Sequence, residues 1–305
     1  MSIKNYKHNK LIIILGPTAS GKSDLAVKLA KKFNGEIISA DSRQIYKEMD
    51  IGTSKITKKE MSDIPHYMID IVKPDNNFTL SKFQKKTIKI IKDIQKRNKL
   101  PFLVGGTGLY IQSIVDNLKI PETKPDKKLR NKLEKLNNKE LVNKLKKLDP
   151  KALEIIDTKN NRRLIRALEI CILTKKSFSE QRKMNKPIFK TLQIGLKLNT
   201  KNLEQRISQR IEKMIKDGLI EENKKLLKKY GDKPYSMSGI GYQEIILYLK
   251  NEITLEQAKE LINIHTRQYA KKQITWFKRD KRIKWIEDYS ESEKIIKKFT
   301  KKDTP

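Results

Sequence analysis

Residues 11–23, LIIILGPTASGKS, leave a chain few ways to fold. Five apolar residues run without alternation into a loop of the form G-x-x-x-x-G-K-[ST], and a helical pattern follows at once. Such a run reads as a strand, and the loop after it as a phosphate cradle. Its glycines let the backbone turn tightly, so that N–H groups and the helix N-terminus converge on an anion. Lys22 adds charge, and Ser23 offers a hydroxyl able to hold Mg²⁺. Gly16, Pro17, Thr18, Ala19, Ser20, Gly21, Lys22 and Ser23 are therefore expected around a phosphate chain. The motif alone does not say which one, because the chemistry requires only a diphosphate and a metal. Leu25, Ala26, Leu29, Ala30 and Phe33 then share one helical face.

Downstream, EIISA (36–40) reads as a second strand ending at Asp41, and 101–104 as a third ending in Gly105-Gly106. Between them, Thr79 can cap a helix whose apolar positions include Leu80, Phe83, Ile90, Ile91 and Ile94. Strands alternating with helices predict an α/β fold, a parallel sheet flanked by helices with the working site at the strands' C-terminal ends. The pattern changes after PETKPD (121–126): from 127 to 182 only Lys- and Arg-dense helical patterns occur. TLQIGLKL (191–198) returns as an apolar strand before a helix carrying Arg206 and Arg210. Thr254 with Gln257 forms a capping box before a long helix toward Trp276. The expected organisation is a phosphate-loop core over 1–120 and 190–305, an all-helical insertion over 121–189, and a helical C-terminal tail.

Composition narrows the class. No apolar run approaches the ~18 residues of a membrane span, and LIIIL is too short for a signal-peptide core, so a cytoplasmic location is expected. Cys171 is the one cysteine; in ALEICIL it reads as a buried structural thiol. Three histidines and no cysteine pair argue against zinc. The 69 Lys and Arg against 36 Asp and Glu leave a net charge of +33. That excess points to a polyanionic partner, most simply nucleic acid, on top of a general Lys-, Asn- and Ile-rich bias.

Other residues admit two meanings each. A nucleotide hydrolase usually has an apolar strand ending in Asp to help hold Mg²⁺; here the strand ends in GGTG, with Asp70 in MIDI the substitute, which disfavours motor-type ATP hydrolysis. Asp41 is placed as a base or hydrogen-bond acceptor, or as a turn residue. Thr107 is a turn residue, or marks a backbone that something approaches closely. Arg206 and Arg210 neutralise leaving charge, or salt-bridge on a helix surface. Residues 266–279 interleave cations with Tyr269, Trp276 and Phe277, which suits nucleic acid or a core face with solvated charges.

Taken in order, GPTASGKS (16–23), SADSRQIYKEMDIGTSK (39–55), IPHYMIDI (64–71) and GGTGLYIQ (105–112) resemble the tRNA dimethylallyltransferase family. NRRLIRALEI (161–170), the R-x-x-x-R helix (206–210), GIGYQE (239–244) and TRQYAKKQITWF (266–277) extend the resemblance over nearly the whole chain. It implies that the loop grips dimethylallyl diphosphate, whose dimethylallyl group moves to N6 of the adenosine immediately 3′ of the anticodon, position 37, in tRNA. By resemblance Asp41 takes the proton, while Thr18, Lys22, Arg210 and Mg²⁺ at Ser23 stabilise the leaving diphosphate. Implied tRNA contacts are Asp41, Ser42, Arg43, Gln44 and Thr107 in the core. Arg130, Arg162, Arg163 and Arg166 belong to the insertion, which would clamp the anticodon stem-loop. Gly241, Tyr242, Lys271, Lys272, Gln273, Trp276 and Lys278 complete the set. Tyr67 stands where a second histidine is common, and Ser238 and Gln243 flank GIGY where basic residues are frequent. Without a zinc-finger extension after the core, the chain resembles the bacterial form, and a monomer without membrane attachment is expected. Competing readings are an ATP-using small-molecule kinase, a prenyltransferase acting on free adenine nucleotides, and a non-catalytic RNA-binding protein with a vestigial loop.

Overall fold

Leu11 to Leu15 are wholly removed from solvent, and this sets the architecture. The computed structural model describes residues 9–121, 126–181, 184–197 and 199–301. Of the stretches read above, most of PETKPD and the last residue of TLQIGLKL lie outside the described residues. In β1 (Lys10–Leu15), Leu11, Ile13 and Leu15 enter one hydrophobic cluster and Ile12 and Ile14 another. A strand buried on both faces belongs in the middle of a sheet covered by helices. Each such side chain contributes about 1.5–3 kcal/mol by leaving water.

β1 leads into α1 (Lys22–Lys32), β2 (Gly35–Ser39), the single-turn α2 (Lys58–Met61), β3 (His66–Tyr67) and α3 (Leu80–Lys96). β4 (Leu100–Gly105) and α4 (Gly108–Val115) follow. A helical stretch supplies α5 (Lys127–Glu134), α6 (Asn138–Leu148), α7 (Ala152–Ile155), α8 (Asn161–Thr174) and α9 (Phe178–Gln181). The sheet resumes with β5 (Lys190–Leu196), followed by α10 (Thr200–Lys216), α11 (Leu219–Tyr230) and a 3₁₀ turn (Tyr235–Ser238). The chain then forms α12 (Gln243–Leu249), α13 (Leu255–Phe277), β6 (Lys284–Ile286) and α14 (Tyr289–Lys301).

The fold is α/β. One sheet of six strands in the order β3-β2-β4-β1-β5-β6 has every neighbouring pair parallel. Leu15 registers with Gly105, and Ser39 with Val104, so β1, β2 and β4 release their loops along one edge. Thr79 caps α3 by accepting from the Lys82 N–H at 3.3 Å, and Thr254 and Gln257 form the capping box of α13. β3 and β6 were not anticipated; strands of two and three residues carry no usable periodicity.

On β2, the fully buried Glu36 carboxylate accepts from Arg97 at 2.5 and 2.6 Å, Lys99 at 2.7 Å and the Tyr67 hydroxyl at 2.9 Å. Burial opposes its charge, but these donors win and hold its pKa down at about 2. Tyr67, the departure from histidine noted above, is thus a partner of this carboxylate.

The chain divides into two compact units, residues 1–115 with 188–305, and residues 116–187. The second unit is built from α5 to α9 around Leu141, Leu145, Leu164, Leu168 and Cys171. Cys171 is 6% exposed and burial pushes its thiol pKa up, so it is a packing residue. Inside the unit, the buried Glu169 accepts from Arg130 twice at 2.8 Å, from Arg166 at 2.5 Å and from the Asp126 N–H at 2.9 Å.

Candidate active site

The loop after β1 reaches α1 by two backbone positions in the left-handed region, Ala19 at φ 61° and Gly21 at φ 82°. Gly21 caps α1 without any side-chain hydrogen bond, which leaves the helix's first N–H groups for another acceptor. Lys22 Nζ donates to the Pro17 carbonyl at 3.1 Å. Burial pulls its pKa down to about 8, against the attraction of Asp41 and with the added repulsion of Arg210. Arg210, on α10, donates to Thr18 Oγ1 at 3.1 Å; burial lowers its pKa and Asp41 opposes the shift. Arg206, one turn earlier, extends toward the Ser20 carbonyl at 3.5 Å. The R-x-x-x-R spacing therefore lays two guanidiniums along the loop, as an i,i+4 pair must.

Asp41 sits just past the end of β2. Its Oδ1 accepts from the Arg43 N–H at 2.8 Å and the Gln44 N–H at 3.4 Å, leaving Oδ2 without a hydrogen-bonding partner among the described residues. Thr107 Oγ1 accepts from the Ser42 N–H at 3.1 Å, and the Thr107 N–H donates to the Ala40 carbonyl at 3.2 Å. These bonds lock the β2 and β4 exits together. Gln273 of α13 completes the frame: Oε1 accepts from the Thr18 N–H at 2.9 Å and Nε2 donates to the Gly106 carbonyl at 2.9 Å. Any side chain at Gly106 would strike the Gln273 amide.

These loops enclose a cavity of about 320 Å³ lined by Thr18, Lys22, Ser23, Asp41 and Arg210. Its apolar wall is Ile207, Ile211 and Met214 from α10, with Ile240 and Ile262. The positions 207, 211 and 214 recur at helical spacing, so one face of α10 supplies both the cation and the apolar wall. Tyr269 lines the cavity too, its hydroxyl pKa pushed up to about 12 by burial and by Asp41. A cavity with cations and helix N–H groups, a carboxylate and an apolar wall suits an anionic substrate with an apolar tail.

A family model described as IPP transferase matches residues 44–280. The chain belongs to the IPP transferase family. It is 48% identical to the tRNA dimethylallyltransferase of Thermoanaerobacter sp. (strain X514) over 304 residues, 96% of each chain. A solved full-length tRNA isopentenylpyrophosphate transferase from Bacillus halodurans matches with TM-score 0.72 and 38% identity, over 95% of both chains. A solved eukaryotic dimethylallyltransferase acting on tRNA matches with TM-score 0.77 and 33% identity, over 88% of this chain and 69% of that one. The family match begins after Asp41, so the phosphate loop and Asp41 enter through the longer alignments.

Of the residues expected at the site, Thr18, Lys22, Ser23, Asp41 to Gln44 and Arg210 line the cavity, and Thr107 braces its frame. Lys271, Lys272 and Lys278 are exposed on or beside α13, and Arg162 and Arg163 are exposed on α8. Several expected tRNA contacts are engaged otherwise. Gln273 is 6% exposed and spends its amide on Thr18 and Gly106. Tyr242 is 1% exposed and donates to Glu222 at 2.7 Å, while the buried Gly241 N–H donates to Glu244 at 2.7 Å. Arg130 and Arg166 bind Glu169, and the half-buried Trp276 packs on the cluster beneath β1. Phe277 is core and Tyr269 faces the cavity, so the 266–279 stretch is both a core face and a site wall. Asp70 pairs its carboxylate with Lys55 at 2.5 Å and is not among the residues that line the cavity.

Sequence reading missed Glu222, whose carboxylate accepts from the N–H groups of Asp50, Ile51 and Gly52 at 2.7–3.0 Å as well as from Tyr242. It thereby joins the MDIGTSK and GIGY motifs, and no local pattern marks it. Tyr235 was missed for the same reason.

Proposed function

We propose that this family member transfers the dimethylallyl group of dimethylallyl diphosphate to N6 of the tRNA adenosine immediately 3′ of the anticodon, position 37. One observation carries the reading: the cations at the phosphate loop and the Asp41 carboxylate line the same cavity. The loop N–H groups, Lys22, Thr18 and Arg210 would hold the diphosphate, with the five-carbon tail against Ile207, Ile211 and Met214. The exocyclic amine is a poor nucleophile, so it must lose a proton as its bond to C1 forms. Asp41 is the base in this reading, held by two N–H groups on one oxygen while the other faces the substrate. The N6–C1 bond forms, the C1–O bond breaks with its electron pair leaving on the diphosphate, and the N6 proton passes to Asp41. Developing charge on the leaving oxygen meets fixed cations and helix N–H groups.

The donor set around Ser23 fits Mg²⁺ rather than a metal caged by protein. Among the described residues no cluster of three carboxylate, His or Cys ligands exists, and Mg²⁺ is commonly held by one or two protein ligands plus substrate phosphates and water. Ser23 would hold it, and the ion would neutralise diphosphate charge. The target base must leave its stack to reach a recessed carboxylate, at a cost of a few kcal/mol that is smallest in a loop. Exposed Arg162, Arg163, Lys271, Lys272 and Lys278 supply backbone-binding cations in this reading.

The experiment is transfer from radiolabelled dimethylallyl diphosphate, with Mg²⁺, to unmodified tRNA, with AMP and ATP as parallel acceptors. Label is expected in tRNA alone. Label in AMP would move the function to free nucleotides, and label nowhere would overturn the reading of the loop.

A further inference from the structure

Among the described residues, the most exposed aromatic side chains are Tyr235 at 57% and Tyr269 at 38%, and both line the cavity that holds Asp41. Tyr269 belongs to the long helix α13. Tyr235 is displayed differently, on a short 3₁₀ turn whose neighbours are anchored. Ser236 Oγ is buried and donates to the Pro74 carbonyl at 2.8 Å, and Met237 is 1% exposed. The turn is thus held firmly where the ring is not covered.

Arg43 backs that ring. Its guanidinium carbon lies 4.6 Å from the Tyr235 ring centroid. Nη1 donates to the carbonyls of Tyr235 at 2.8 Å and Ser236 at 3.1 Å, and Nη2 to Ser238 Oγ at 3.4 Å. Arg43 itself is two residues from Asp41 and donates its N–H to that carboxylate. The turn that positions the base is therefore tied to the turn that displays the ring. More than half of the surface of Tyr235 is open to solvent at the cavity, so the ring is accessible to a partner there. A cation on one face leaves a ring well suited to take a flat π-system on the other, and an unpaired RNA base offers one whatever its identity.

We propose that Tyr235, backed by Arg43, is a stacking surface for an unpaired base of the RNA loop beside the adenosine that enters the cavity. This rests on the function proposed above. Stacking at this place would hold the loop open at the cavity mouth without touching the donor. The diphosphate cradle and Asp41 are left as they are when the ring is removed.

The test compares Tyr235→Ala and Tyr235→Phe with the wild type, using an unmodified anticodon stem-loop RNA. Tyr235→Ala is expected to raise the KM and the dissociation constant for RNA roughly tenfold, as removal of one base–aromatic stack does. KM for dimethylallyl diphosphate and the melting temperature should stay put, and Tyr235→Phe should behave as wild type. Abasic nucleotides placed singly through the loop then identify the base: at one position the lesion weakens wild-type binding but costs Tyr235→Ala nothing further. Equal RNA affinity for Tyr235→Ala and wild type, a Phe variant as impaired as Ala, or no coupled abasic position would each overturn the proposal. If the wild type transfers nothing to RNA, the proposed reaction falls, while the binding and abasic measurements still decide the role of Tyr235.

Discussion

Replacing Asp41 by asparagine would keep the shape of its turn, since an amide oxygen can still accept from the Arg43 and Gln44 N–H groups. Only the proton-accepting charge is lost. Turnover is expected to fall about 10²–10⁴-fold, the usual contribution of a positioned base, with RNA binding nearly unchanged; a near-normal single-turnover rate would remove Asp41 as the base. Lys22 makes a separate prediction. Its pKa of about 8 means the free site carries the ammonium below that pH and loses it above. Relative to Lys22→Arg, which stays charged, affinity for inorganic diphosphate should therefore fall above that pH, by up to about tenfold per pH unit. Calorimetric titration on both proteins decides it, and parallel slopes would exclude Lys22 from the cradle.

At the scale of elements, the buried carboxylate of β2 stabilises the sheet through Arg97, Lys99 and Tyr67. Its pKa is lowered from 4.5 to about 2, so its contribution is complete above 4.5 and is lost as pH falls toward 2. Glu36→Gln is expected to cost about 1–3 kcal/mol at neutral pH, as when a buried group loses its charged partner. Its melting temperature should also drop less between those two pH values than that of the wild type. Equal acid sensitivity would assign the effect elsewhere. Four of the six strands were legible as apolar stretches, three of them ending in Gly or Asp and the fourth, β5, set between polar segments. β3 and β6 were not, since their pairing is decided by neighbours rather than by pattern. The site followed the same rule: Thr18, Lys22, Asp41 and Arg210 sit in motifs that suggest their chemistry, whereas nothing in TRQYAKKQITWF marks Gln273 as the residue that closes a frame across 255 residues. In a Lys-rich helix a glutamine that closes a frame looks like one that faces water.

The net charge of +33 is a property of the whole chain, and only exposed cations placed on the RNA path convert it into binding. Arg162 and Arg163 are exposed on α8, whereas Arg130 and Arg166 in the same unit are engaged by Glu169. The double substitution Arg162→Ala/Arg163→Ala should weaken stem-loop binding and reduce the salt slope by about 0.9 for each phosphate that is no longer neutralised. The affinity for dimethylallyl diphosphate should not change. A salt slope equal to wild type would return both arginines to the solvated surface.

The sheet order also has a bearing on synthesis. β1 lies between β4 and β5, and the Thr18 N–H is held by a side chain that the ribosome adds 255 residues later. A nascent chain thus carries its phosphate loop for most of translation without α10 or α13 to close it. Diphosphate held by such an intermediate would meet neither Arg210 nor the Gln273 bridge. Any fragment cut short of residue 210 should share that open state, and one that ends between 210 and 273 should still lack the Gln273 bridge, which couples possession of a working site to possession of nearly the entire polypeptide.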